Sequence, residues 1–279
     1  MDIPPVIYVP SVTPVELDEL SYAKALLENP GLTARFANLI GSPIEKGFAL
    51  LPDGWSASVH KATRAALLKA LELAVVTMGD RDRRKSSEWF HKILVGASGG
   101  IGGAFGLAAL PIELPVSTTI MLRSIADIAR SEGHNIGVLN TKLACLEVFA
   151  LGGRSPADDA AESSYWAVRA ALAKAISEAA ACIAERGILE KSAPAVLRLI
   201  TALSSRFGIL VSEQVAAKAI PVVGAAGGSI INVLFIHHFQ DMARGHFIVK
   251  RLELRHGVDA VRQLYQSLPR SASEPKGVA

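Results

Sequence analysis

Residues 93–112 read ILVGASGGIGGAFGLAALPI, 20 residues without a formal charge, six of them glycine. No alternation of apolar and polar positions marks a strand here, and the length suits a helix. In water each interior glycine costs a helix about 0.8–1.0 kcal/mol relative to alanine. A helix this rich in glycine therefore needs compensation from close packing, or from surroundings that forbid unpaired backbone. The spacing fits both. Gly96 and Gly100, Gly99 and Gly103, and Gly102 and Gly106 lie four apart. On a helix this puts them on one face and lets another backbone approach.

The stretch has an echo. Val95-Gly96-Ala97-Ser98-Gly99-Gly100 matches Val223-Gly224-Ala225-Ala226-Gly227-Gly228 at five of six positions, and each copy leads into a helix that carries charges. Gly96, Gly99, Gly100, Gly103, Gly224, Gly227 and Gly228 are therefore the candidate helix-packing or membrane-contact residues. Three settings satisfy them: two buried helices crossing at a glycine seam, a hairpin or interfacial insertion into lipid, and a true membrane span. A 20-residue helix is about 30 Å long, enough to cross the hydrocarbon core. The basic cluster Arg81, Arg83, Arg84 and Lys85 fits the cytoplasmic side of such a segment. Against spanning, glycine and alanine add little hydrophobic free energy. Pro111 and Pro115 also interrupt the first segment at its exit, and Pro221 stands near the start of the second, 219–236.

Outward from these segments the chain reads as helices. Thr13-Pro14-Val15-Glu16 is a capping box, with Thr13 as cap, Pro14 at the first helical position and Glu16 reaching back. That helix stops at Pro30-Gly31. A second spans 33–51 with a break at Gly41-Ser42-Pro43, and a third runs from Ser56 or Ser58 to Met78-Gly79. Pro115 suits the first turn of a helix that ends before Gly133. Further helices are expected over 137–151, from Ser164 to Arg186, from Pro194 to Ala219, from Ser229 to Arg255 and over 258–268. No hairpin turn lies between alternating runs. The expected fold class is all-α, a multi-helix bundle with two glycine-rich apolar helical segments in an internal pseudo-repeat. Residues 1–12 are expected as an extended N-terminal segment, 13–268 as one helical domain and 269–279 as a disordered tail.

Bulk chemistry excludes some functions. The 29 basic and 26 acidic residues leave a net charge of +3, too small an excess for nucleic-acid binding by bulk electrostatics. Aromatics are 6% of the chain, and no basic run is interleaved with them. Cys145 and Cys182 sit in Ala/Leu-rich stretches without metal-ligand spacing and are expected as buried free thiols in a reducing compartment. The N-terminal residues show no secretory signal pattern, so a cytoplasmic location is expected.

Motifs for chemistry are weak. Gly100, Gly102 and Gly106 have the wrong spacing and no preceding strand for a dinucleotide loop, and no Gly-Lys-Ser/Thr is present. Ser98 falls in a Gly-x-Ser-x-Gly match, but the second copy has Ala226 in its place. Glu113, between Pro111 and Pro115, is expected to cap the following helix, with pairing to Arg123 or acid–base work as alternatives. His237, His238 and Asp241 lie three or four apart and could share a helix face, yet no further ligand stands at metal-binding spacing. Glu113, Arg123, Asp127, His238 and Asp241 form the candidate polar cluster. No catalytic residue, metal or cofactor is assigned.

Three stretches then resemble the EcsC protein family. They are Ile40-Gly41-Ser42-Pro43-Ile44-Glu45 with Leu51-Pro52; the glycine run through Leu110-Pro111-Ile112-Glu113-Leu114-Pro115 to Ala129; and Ile220 to Gly228 with Asn232, His238-Phe239, Ala243, His246-Phe247 and Arg251-Leu252-Glu253. Together they cover most of residues 35–257. Where the family pattern often has Asp-Leu-Pro, this chain has Glu113-Leu114-Pro115. The resemblance implies an α-helical bacterial protein of the cytoplasmic face. The duplicated glycine motif and the basic cluster before its first copy add the expectation of a protein peripheral or hairpin-inserted at the inner membrane, with membrane lipid or a transporter subunit as partner. The family takes its name from a gene neighbouring the two components of an ABC transport system. It brings no enzymatic activity with it, so the expected function is a non-enzymatic transport accessory. The alternative is a soluble hydrolase-like enzyme with a site near Glu113, Arg123 and His238.

Overall fold

The computed structural model describes residues 12–28, 32–78, 106–153, 164–187, 193–220 and 224–269. Gly96, Gly99, Gly100 and Gly103, the basic cluster at 81–85, Ser98, the N-terminal segment through residue 11 and the tail from 270 lie outside these residues. Within them the chain is ten α-helices and a single 3-10 turn, without a strand. The all-α expectation holds.

The first helix, α1 (Pro14–Glu28), starts as its sequence dictates. The Thr13 backbone N–H donates to Glu16 Oε2 at 3.0 Å, and the Glu16 N–H donates to Thr13 Oγ1 at 3.2 Å. This reciprocal pair satisfies two donors that the helix cannot. Helices α2 (Leu32–Ile40) and α3 (Glu45–Ala49) are separated at the expected Gly41-Ser42-Pro43 break. Helix α4 (Trp55–Thr77) follows, then α5 (Gly106–Ser131).

Helix α5 corrects one expectation. It does not begin at Pro115 but nine residues earlier, and carries Pro111 and Pro115 within it. Each proline withdraws a donor from the carbonyl four residues back. Pro111 is exposed and Pro115 half-buried, so neither ring displaces a side chain from the centre of the core. Leu110 and Leu114, one position before each proline, are buried at 6% and 2% exposure and hold the helix to the core. The helix ends at Gly133, whose φ of 84° reverses the chain while His134 N–H bonds the Ala129 carbonyl at 2.9 Å, a Schellman closure.

Helix α6 (Leu139–Glu147) tightens into a 3-10 turn at Val148–Ala150; α7 (Ser164–Arg186), α8 (Pro194–Ala219), α9 (Gly224–His256) and α10 (Val258–Ser267) complete the set. Gly224, Gly227 and Gly228 occupy the first two turns of α9. That helix, at 33 residues, is about 50 Å long and packs on α1 and α5, while α4 lies along α5 and α8. One continuous apolar core joins them, with Phe149, Phe207, Phe235 and Phe239 meeting at centroid distances of 5.1–6.2 Å. Cys145 is buried and free, its thiol pushed up to about 12 by burial. Cys182 is free but only half-buried, because its turn of α7 is partly turned outward.

Candidate functional site

Glu113 lies inside α5 rather than ahead of it, so the capping expectation fails with the helix start on which it depended. Its carboxylate instead accepts from Lys218 Nζ at 2.6 Å and from Asn232 Nδ2 at 3.4 Å. Gln214 Nε2 donates to Asn232 Oδ1 at 2.9 Å and extends the chain of bonds. Pairing with Arg123 fails for a geometric reason. Ten residues along one helix separate the two groups by about 15 Å.

These bonds gather the start of α5, the end of α8 and the start of α9. Both glycine-rich segments therefore lead into the described structure at one end of the bundle. Helix α3 is there too, since Gly47 sits so tightly on Ala216 of α8 that a side chain could not intervene. Around this end Ile112 (69% exposed), Val116, Ile230, Val233 and Leu50 face outward, with Glu45 and Lys46 of α3 also exposed. A second group, Val15, Leu254 and Val258, is exposed at the far end of α9. There it is interleaved with the ionic hub in which Arg255 and His256 meet Glu16 at 3.2 and 3.1 Å.

Asp127 and Asp241 come together; Glu113 and His238 do not join them. A cleft of about 460 Å³ between α5 and α9 is lined by Ser124, Asp127, Ser131, His237, Gln240, Asp241 and Arg244. Asp241 pairs with Arg35 at 3.1 Å, and Asp127 pairs with Arg130 one turn along. Arg123 is half-buried on α5. It is His237, not His238, that reaches the cleft. His238 turns inward and rests on Gly152. Burial and the nearby Arg35 charge push its imidazole down to about 3, against a hydrogen bond to the Leu151 carbonyl. Among the described residues no three His, Cys, Asp or Glu side chains group as a metal site.

Sequence reasoning missed a second polar constellation. His246 Nε2 lies 3.5 Å from Glu147 Oε2, both side chains almost wholly buried, and His246 Nδ1 meets the Tyr165 hydroxyl at 3.1 Å. Arg169 binds Glu253 bidentately at 2.6 and 3.0 Å and touches the same hydroxyl at 3.3 Å. Burial raises the Glu147 carboxyl and lowers the His246 imidazole well below its usual value. The signal was present: Glu147 is the sole charge in the apolar run from Leu143 to Leu151.

One helix among the described residues, α8, is long and apolar enough to span a membrane, with a mean hydropathy of 1.5. Half of that stretch is buried in the bundle core, and a core helix passes the same criterion. The first glycine-rich segment lies mostly outside the described residues. The second is divided between the end of α8 and the start of α9.

Fold and site together define an all-helical bundle in which α5 and α9 run side by side from a shared end. The model of the EcsC protein family matches residues 16–252, and the chain belongs to that family. No curated protein and no solved structure matches it.

Proposed function

We propose that the chain is a non-enzymatic helical protein of the cytoplasmic membrane face, that its glycine-segment end rests against the bilayer, and that it serves a transport or export system. The observation that carries this reading is the convergence of both glycine-rich segments on an end where Ile112, Val116, Ile230 and Val233 are exposed. Exposed apolar residues are ordinary when scattered, whereas a contiguous group marks a contact surface. The partly buried Glu113–Lys218 pair gives this surface a polar centre without a net charge, and a lipid interface tolerates that better than a lone ion. The transport link rests on the gene neighbourhood that named the family. A catalytic reading finds less support, since Glu113 and His238 lie away from the cleft and both cleft carboxylates already hold an arginine.

Fractionation of cells expressing the chain tests the reading. Retention in membranes through high salt and alkaline carbonate is expected if the end is lipid-embedded, and release by salt if surface charge or a partner is the tether. Recovery wholly in the soluble fraction would sink the membrane reading.

A further inference from the structure

The seam between α5 and α9 joins the apolar end to the polar cleft, and we infer that this seam binds one phospholipid molecule, its phosphate in the cleft at Arg244 and its acyl chain along Ile112, Val116, Ile230 and Val233. The inference rests on the membrane-face reading, because it takes the apolar end as the lipid side.

The two helices run parallel. Asn232 meets Glu113 at 3.4 Å, Gln240 meets Ser124 at 2.8 Å and the Phe247 carbonyl meets His134 at 2.9 Å, so position advances together on both. By helical periodicity Ile230, Val233, His237, Gln240, Asp241 and Arg244 share one face of α9. Ile112, Val116, Ser124, Asp127 and Ser131 likewise share one face of α5. The α9 face is apolar in its N-terminal part and polar beyond; the α5 face carries Ile112 and Val116 beside Glu113, which Lys218 and Asn232 hold, and is polar beyond. From Val233 to Arg244 is about 16 Å of helix, close to the half-thickness of a bilayer's hydrocarbon, about 15 Å.

Charge selects the headgroup. Asp127 and Asp241 are held by Arg130 and Arg35, so neither presents an uncompensated negative charge. Arg244 lines the cleft, is exposed and has no carboxylate partner among the described residues. Ser124 Oγ accepts from Gln240, which leaves its own hydroxyl proton to donate. A guanidinium, a hydroxyl and the His237 ring at one wall suit a phosphate oxyanion. The apolar run beside them distinguishes an esterified lipid from a free phosphate ester.

The test is calorimetric titration of the full chain with dihexanoyl phosphatidylglycerol below its micelle concentration, with glycerol 3-phosphate and dihexanoylglycerol as half-ligands. The phospholipid should bind, and each half-ligand should bind roughly ten-fold more weakly or worse. Arg244→Gln, on an exposed position and checked for fold by circular dichroism, should weaken phospholipid binding roughly ten-fold. Val233→Ser should weaken the phospholipid but not glycerol 3-phosphate. Equal affinity of Arg244→Gln, equal affinity of dihexanoylglycerol, or glycerol 3-phosphate binding as tightly as the lipid would each overturn the site. If the chain sediments with phosphatidylglycerol vesicles yet fails to bind the short-chain lipid, the site falls and the membrane reading stands. Failure in both assays removes both.

Discussion

Lys218 Nζ donates to Glu113 Oε1 at 2.6 Å across 105 residues of sequence, and this bond ties the last turn of α8 to the first turns of α5. With Asn232 on α9 as a second donor, one carboxylate fastens three helices where both glycine-rich segments emerge. The side chains are 19% and 24% exposed, between the surface pairs that contribute little and the fully buried pairs that are costly to break. Lys218→Met or Glu113→Gln should each destabilise the chain by about 1–3 kcal/mol, because each strands the partner half-buried. The double variant Glu113→Gln/Lys218→Met should cost less than the sum of the single changes. Urea unfolding of the four proteins measures this, and strict additivity would show that the contact contributes no coupling.

Two glycines are predicted to be irreplaceable for different reasons. A Cβ on Gly47 would fall inside the backbone carbonyl of Ala216. That obstacle cannot rotate away, so Gly47→Ala should force α3 off α8 at a cost of about 1–3 kcal/mol or more. Gly152 has φ of 78°, and a Cβ there would strike the His238 ring, combining left-handed backbone strain of about 1–2 kcal/mol with a clash. Gly187, at φ 70° with open space around it, is the control that isolates the backbone contribution. Thermal melts should rank Gly187→Ala as the mildest of the three.

The buried Glu147–His246 pair gives a pH dependence whose sign can be worked out. Unfolded, the two groups titrate near 4.5 and 6.5; burial raises Glu147 and lowers His246. The two shifts act oppositely: the raised carboxyl favours the folded chain as the pH falls, and the lowered imidazole disfavours it. His238 is different, lowered by burial from 6.5 to about 3. Its contribution is fully present above pH 6.5 and is lost as the pH falls toward 3. His134, also lowered by burial, adds in the same direction. His238 alone should therefore lower stability by roughly 1 kcal/mol between about pH 6 and pH 5, with His134 adding to the fall. Glu147→Gln removes the opposing carboxyl and should steepen the fall. Glu16, held down at about 2 chiefly by the Thr13 backbone N–H and then by His256, keeps its contribution above pH 4.5 and loses it below that. Denaturation midpoints across this range decide the matter, and an unchanged slope in Glu147→Gln would refute the opposing action of the carboxyl.

What could be read in the sequence follows from the range of the interactions involved. The Thr13–Glu16 box, the Gly133 stop and the Pro194 start depend on neighbours a few residues away, and all three stand as expected. The start of α5 was hidden because Leu110 and Leu114 hold the prolines' helix by long-range burial, which local propensity does not report. The same error misassigned Glu113, whose partners lie 105 and 119 residues away. Asp127 and Asp241 could be named but not joined without knowing that α5 and α9 lie parallel. His238 shows the limit most plainly. Its neighbour His237 has the same chemistry, yet one residue of helical rotation sends one into the cleft and the other into the core.

The apolar end makes a prediction that composition alone would not. Ile112 and Val233 are exposed at 69% and 49%, so charging them should leave the core untouched and the helices folded. If this end meets the bilayer, moving two such side chains from lipid to water forfeits roughly 1–2 kcal/mol each, before any cost of the new charges. Ile112→Asp/Val233→Asp should therefore lower the ratio of vesicle-bound to free protein by at least roughly ten-fold in a flotation assay. Val15→Asp/Leu254→Asp, equally exposed but at the far end beside Glu16 and Arg255, should leave that ratio unchanged. An equal effect from both pairs would mean that the chain binds lipid without orientation, and the glycine-segment end would lose its special role.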